Sequence, residues 1–306
     1  MANNSIITNS GKKIILNRSY KATPDYTVPS KFKVGISNGT PSVADTDLDV
    51  AIPIEDGTVN DDGSNTLTGS SGADNSTNNT TTYKQGAGQS DVTAQNLLAD
   101  GTGTNVLKIW TISNLASAGT NITGANPFGL WLYIKDATEL AKLKSSGTAV
   151  EIKLGSDSSN YYSKTWTQAN LAAGWNWLTS GTTATNALTE TGTVSGDIDT
   201  FIIEVTTNNA GDEFAAGELI YDLLRQWVVA DLSKVYVSGY PTLDETNFEV
   251  ETRGLLTSVQ ANGFDINGFG VINTDGTVLL HSEDTFTAES NSSTDQFTFI
   301  VVDRLI

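Results

Sequence analysis

Apolar and polar positions alternate most clearly in Lys31-Phe-Lys-Val-Gly-Ile36. Phe32, Val34 and Ile36 share one parity there and predict a half-buried strand. Asn38-Gly39-Thr40-Pro41 breaks the pattern, and Asp45-Thr46-Asp47-Leu48 opens a new segment that closes with Val50-Ala-Ile-Pro-Ile54. Residues 1–30 show no sustained period. Ile14-Ile15-Leu16 is a short apolar patch, and Pro24 and Pro29 oppose a helix, so an extended N-terminal arm is expected. From Gly57 to about Ser90 the apolar period gives way to Asp61-Asp62-Gly63-Ser64-Asn65, Gly69-Ser-Ser-Gly72 and Asn75-Ser-Thr-Asn-Asn-Thr-Thr-Thr82. That stretch reads as a low-complexity linker.

Strand-like runs return at 106–112, 129–135, 149–154, 160–166, 174–178, 199–205 and 218–227, separated by Gly, Asn and Ser clusters. A short helix fits 136–144, with Asp136 as its N-cap and Lys142 and Lys144 toward its C-terminal end. All six tryptophans lie between 110 and 227, which marks a domain with its own core. After a bridging stretch at 228–240, alternation resumes at 247–252. It continues in the unit Ile266-Asn-Gly-Phe-Gly-Val-Ile272 to Leu280, where Asp275-Gly276 is a hairpin signal, and ends in Gln296-Phe-Thr-Phe-Ile-Val-Val302. The material that matches the Phe32 strand lies in this last part. The expected fold class is all-β: a discontinuous β-sandwich anchor domain with an inserted jelly-roll β-sandwich domain. The expected boundaries are an arm at 1–30, anchor halves at 31–56 and 238–306, a linker at 57–90 and a jelly roll at 91–237.

Composition narrows the function classes. The 306 residues carry a net charge of −18, and cysteine is absent. Thiol catalysis, disulfides and thiolate metal sites are thereby excluded. Nucleic acid and anionic membrane surfaces are not expected partners, because both require clustered Lys and Arg. The charge is uneven: residues 1–56 sum to zero, whereas 57–230 and 231–306 carry −9 each. Lys12, Lys13, Arg18, Lys21, Lys31 and Lys33 make the N-terminus locally basic, either a solvated arm or a docking arm for an acidic neighbour. The N-terminus lacks an apolar signal region, and no run approaches a membrane span. The chain is therefore expected to be soluble and made in a cytoplasm.

Candidate chemistry is sparse. Sugar binding needs exposed aromatic faces beside amides or carboxylates, and Tyr161, Tyr162, Trp166, Trp175 and Trp177 are the candidates, with Asn160 and Asn176. Trp175 and Trp177 share a face; the competing reading makes it the inner face and the tryptophans core. Tyr161 and Tyr162 are consecutive, so one of them should point outward. The lone His281 cannot form a common zinc site and has no nucleophile motif near it. Asp61-Asp62 is compatible with a calcium loop, although solvation is the commoner cause of such a run. No catalytic constellation stands out, so neither an enzyme nor a cofactor or metal is expected; a glycan-degrading carboxylate pair is the distant alternative.

Two pieces together resemble structural proteins of tailed bacteriophages, of the tail-collar, tail-fibre or head-decoration kind. One is the opening strand with Gly39-Thr40-Pro41 and Asp45-Thr46-x-Leu48. The other is Gly270-Val-Ile-Asn-Thr-Asp-Gly-Thr-Val-Leu-Leu-His-Ser282, leading to Phe286 and a terminal apolar strand. The pattern departs from such proteins at Phe269 and Ile272. The resemblance implies a virion protein assembled in a bacterial cytoplasm, with other virion proteins as partners and homo-oligomerisation, a trimer first among the options. The middle, with Gly129-Leu-Trp-Leu-Tyr-Ile134 and Gly174-Trp-Asn-Trp177, is similar to carbohydrate-binding jelly rolls. That similarity implies a host-surface glycan as an alternative partner.

Overall fold

The computed structural model describes residues 4–36, 40–48, 50–55, 58–84, 93–113, 115, 127–180, 188–194, 198–274, 278–290 and 296–304. The chain opens with strand β1 (Asn4–Ile7), helix α1 (Asn9–Tyr20) and strand β2 (Lys31–Gly35). The helix corrects the expectation of an extended arm. Thr8 Oγ1 accepts the Gly11 N–H at 3.0 Å as an N-cap, and both prolines lie beyond the helix end. Gly11 also allows close docking: a β-carbon there would lie 2.1 Å from the His281 carbonyl oxygen. That tertiary contact outweighs the modest helix propensity of Ile14 and Ile15.

The middle of the chain supplies β3 (Thr58–Asp61), β4 (Thr68–Ser70), β5 (Thr77–Asn79), β6 (Ala94–Asn96), β7 (Leu107–Ser113) and β8 (Phe128–Ile134). Helix α2 (Ala137–Lys142) follows, N-capped by Asp136, which accepts from Thr138 N at 2.7 Å and Glu139 N at 3.1 Å. Then come β9 (Val150–Asp157), β10 (Asn160–Trp166), β11 (Gly174–Thr179), β12 (Thr189–Thr191), β13 (Thr200–Thr206) and β14 (Leu219–Gln226). Three strands, β3 to β5, fall in the stretch read as a linker. Their anchors are polar and leave no apolar period to read. Ser76 Oγ donates to Gln95 Oε1 at 2.8 Å, Asn79 Nδ2 donates to Asn96 Oδ1 at 2.8 Å, and all four residues are buried.

These strands form two antiparallel sheets, ordered β12-β10-β9-β13-β7-β4 and β11-β8-β14-β6-β5, with β3 also paired to β14. Trp110, Ile152, Leu154, Phe201 and Ile203 from the first sheet meet Phe128, Leu130, Leu132, Ile134 and Tyr221 from the second in one buried cluster. The fold is an all-β sandwich.

The chain closes with β15 (Lys234–Val235), β16 (Thr242–Asp244), β17 (Glu249–Leu256), β18 (Asp265–Thr274), β19 (Val278–Ser290) and β20 (Phe297–Arg304). They complete a five-stranded sheet, β1-β19-β18-β2-β15, and a three-stranded one, β16-β17-β20. Phe32 sits opposite Val271 in the β2–β18 register, and its ring stacks on Phe269 at 5.4 Å. Phe299 of β20 stacks on Phe269 at 4.8 Å, although β20 itself pairs with β17 and not with β2. The Asp275-Gly276 turn lies outside the described residues.

The described residues fall into two compact units. Unit 1 takes those of Met1–Asp56 and Val229–Ile306, and unit 2 those of Gly57–Gly86 and Ser90–Val228. The second unit therefore begins at the expected linker and ends before the expected 237, because β15 belongs to the sheet of β2. Within unit 1 the Ile54 N–H donates to the Asp231 carbonyl at 2.8 Å, so the chain leaves that unit beside the point where it returns.

Candidate functional site

Strands β8 and β11 alternate strictly. Leu130, Leu132, Ile134 and Leu178 face the core of unit 2, so the opposite parity carries Trp131, Tyr133, Trp175 and Trp177 on the other face of the sheet. Register puts Trp175 directly opposite Tyr133, and Trp177 opposite Trp131. The rings run on as a row: Tyr133 to Trp175 at 5.2 Å, Trp175 to Trp131 at 6.3 Å, Trp131 to Trp177 at 5.1 Å and Trp177 to Trp227 at 5.9 Å. Tyr133, Trp175 and Trp177 are half-buried, whereas Trp131 and Trp227 are buried.

Two local devices hold the row in place. Trp177 lies flat on Gly129, where a β-carbon would come within 2.3 Å of Trp177 Cζ2. On β14 a bulge between Asp222 and Arg225 is centred on Leu223, which has a φ of +56°. Without it Arg225 would share the inward parity of Leu219 and Tyr221; with it Leu224 faces the core. The Arg225 guanidinium then lies over the Trp177 ring at 5.3 Å, and Lys84 Nζ lies over Trp131 at 4.6 Å. Lys84 N also donates to Asp222 Oδ2 at 2.6 Å, tying the segment after β5 to β14.

The residues grouped by sequence as a sugar site do not come together. Trp175 and Trp177 belong to the aromatic row and lie outside the core cluster. Tyr162 and Trp166, on β10 of the other sheet, pack partly against the core. Tyr161 has the opposite parity and lies under Lys153 Nζ at 5.0 Å. Both amides serve local structure. Asn160 holds the β9–β10 turn through Asp157 Oδ2 at 2.8 Å and accepts from Thr193 N at 2.9 Å. Asn176 is buried, accepting from Ala172 N at 2.8 Å and donating to the carbonyls of Leu132, Ala172 and Gly174. Tyr133, Trp131, Trp227, Arg225 and Lys84 were missed. For Trp131 and Tyr133 the signal was present, since they alternate with Leu130, Leu132 and Ile134.

The basic N-terminal residues are also dispersed. Lys12 and Lys13 are exposed on α1 and Lys31 is half-buried, but Lys33 is buried against Asp47 at 2.8 Å. Arg18 donates to the Tyr26 carbonyl at 2.7 Å, and Lys21 pairs with Asp25. Among the described residues no acidic or histidine cluster is placed to hold a metal ion, and no helix is long and apolar enough to cross a membrane. Asp61 accepts from Tyr221 and Asn65, and Asp62 accepts from Ser64. His281 is buried beside α1, and burial pulls its pKa down. No family model matches this chain, and neither a curated protein nor a solved structure does.

Proposed function

We propose that this is a non-enzymatic structural protein of a bacteriophage particle. Unit 1 anchors it to other virion proteins, and unit 2, a jelly-roll-type sandwich, serves as the module for host attachment. The observation that carries this reading is the insertion: both chain ends build one unit, and Ile54 hydrogen-bonds Asp231 where the chain departs and returns. An anchor assembled in this way tolerates an inserted module without change to its own sheet. The resemblance of residues 1–56 and 238–306 to virion proteins supplies the setting. Homo-oligomerisation, a trimer first, belongs to the same proposal.

The half-buried rings of Tyr133, Trp175 and Trp177 favour a second reading, in which unit 2 binds a host-surface glycan by stacking sugar C–H faces on the row. Cryo-EM of isolated particles tests the first reading, with density for this chain expected on the virion; purified particles that lack the chain would overturn it. A glycan array tests the second, and no binding to any bacterial surface polysaccharide removes it.

A further inference from the structure

Strand β20 pairs with β17 along all eight residues, from Leu256 opposite Phe297 to Glu249 opposite Arg304, without a bulge. Among the described residues no strand pairs with its other edge. A cleft of about 520 Å³ is lined there by Phe297–Val302 together with Phe269, Asp284, Phe286 and Glu289. Successive residues of a strand point to alternate faces, so a cleft touching six in a row runs beside the strand edge and not over one face. Its aromatic side is formed by Phe299 with Phe286 at 5.8 Å and Phe297 at 6.4 Å. Ile300 and Val302 are 54% and 49% exposed. The devices that normally blunt an edge, a lysine, a proline or a bulge, are all missing from Phe297–Val302.

An open edge presents a row of main-chain donors and acceptors, and another extended backbone matches that row. The flanking side chains then state what the backbone should carry: apolar groups over Phe286 and Phe299, and a cation toward the exposed Glu289. The same edge of a second copy of this chain is a poor occupant on charge, since residues 231–306 carry −9. We propose that the β20 edge receives an extended strand from a different polypeptide, apolar at alternate positions and bearing Lys or Arg at an end. This rests on the anchoring role of unit 1 and names the chemistry of its partner.

The test uses the full-length protein and a fluorescein-labelled peptide, Lys-Val-Thr-Val-Thr-Val-Lys. Controls are the same peptide with glutamate at both ends and with proline at its centre. Anisotropy should show binding of the lysine-ended peptide, about fivefold weaker binding of the glutamate-ended one and none of the proline one. Amide exchange should slow in β20. Glu289→Lys, an exposed change checked by circular dichroism, should reverse the preference between the two end charges. Failure of the wild-type protein to bind, indifference to proline, or protection elsewhere than β20 overturns the proposal. So does concentration-dependent self-association that protects β20, which would make a second copy the occupant. Particles lacking the chain would remove the virion reading while leaving this peptide result standing, so the two failures are separable.

Discussion

Tyr221 donates its phenolic hydrogen to Asp61 Oδ2 at 2.7 Å, fastening β14 to β3 inside unit 2. Tyr221 is fully buried, and Asp61 is 2% exposed. Burial raises the Asp61 pKa despite its bonds from Tyr221 and Asn65, and burial first, then the Asp61 charge, holds the Tyr221 phenol well above its ordinary value. The residue that looked like part of a solvated acidic run is therefore an internal tie.

In the unfolded chain a tyrosine releases its proton near pH 10, whereas native Tyr221 keeps it. The native state then binds more protons, so this group's contribution to stability is present below about pH 10 and is lost as pH rises beyond it. Denaturant unfolding at pH 9 and 11 should show that decline, and Tyr221→Phe should flatten it. At neutral pH the same variant should cost about 1–3 kcal/mol, because Asp61 loses a buried partner.

Gly129→Ala should push Trp177 off the β8 backbone while leaving Leu130 and Leu132 in the core. The expected cost is about 1–3 kcal/mol, with a changed tryptophan emission spectrum and an unchanged far-ultraviolet dichroism. An unaltered emission spectrum would show that the close contact does not position the ring.

If the aromatic row binds glycan, Trp175→Ala should weaken binding by about tenfold with little loss of stability. Trp166→Ala should do the reverse, lowering stability through lost core packing and leaving glycan affinity unchanged. Thermal unfolding and glycan-array titration of both variants separate these outcomes, and equal effects on affinity would reject the assignment.

Gly11→Ala should detach α1 from β19, because the added carbon meets the His281 carbonyl. Amide exchange in α1 should rise toward that of an isolated helix, which at 12 residues is marginal in water. Protection equal to wild type would mean that the helix shifts and accepts the methyl group.

Joining residue 55 to residue 230 through a short glycine linker should give a folded unit 1, since Ile54 and Asp231 are already hydrogen-bonded. Its melting should be cooperative, with near-ultraviolet signals from the Phe32, Phe269 and Phe299 stack. A chain that shows neither would contradict the insertion.

Sequence by itself determined the elements with a local signature. Phe32 and Val34 predict β2 by alternation, the continuous apolar run at 129–135 predicts β8, and Asp136 predicts the start of α2, because hydrophobic patterning and capping are local properties of the chain. The strands β3 to β5 escaped because buried amides, not apolar residues, hold them, and hydrogen-bond partners far apart in sequence leave no periodic trace. Helix α1 escaped because its docking depends on Gly11 meeting a carbonyl 270 residues away. The face carried by Trp175 and Trp177 was legible as a shared parity, but whether that face was core or not depended on which side the second sheet covered. The bulge at Leu223 then turned Arg225 toward Trp177. Periodicity says which residues lie together on a strand; only the packing of one sheet upon another decides which side of it is inside.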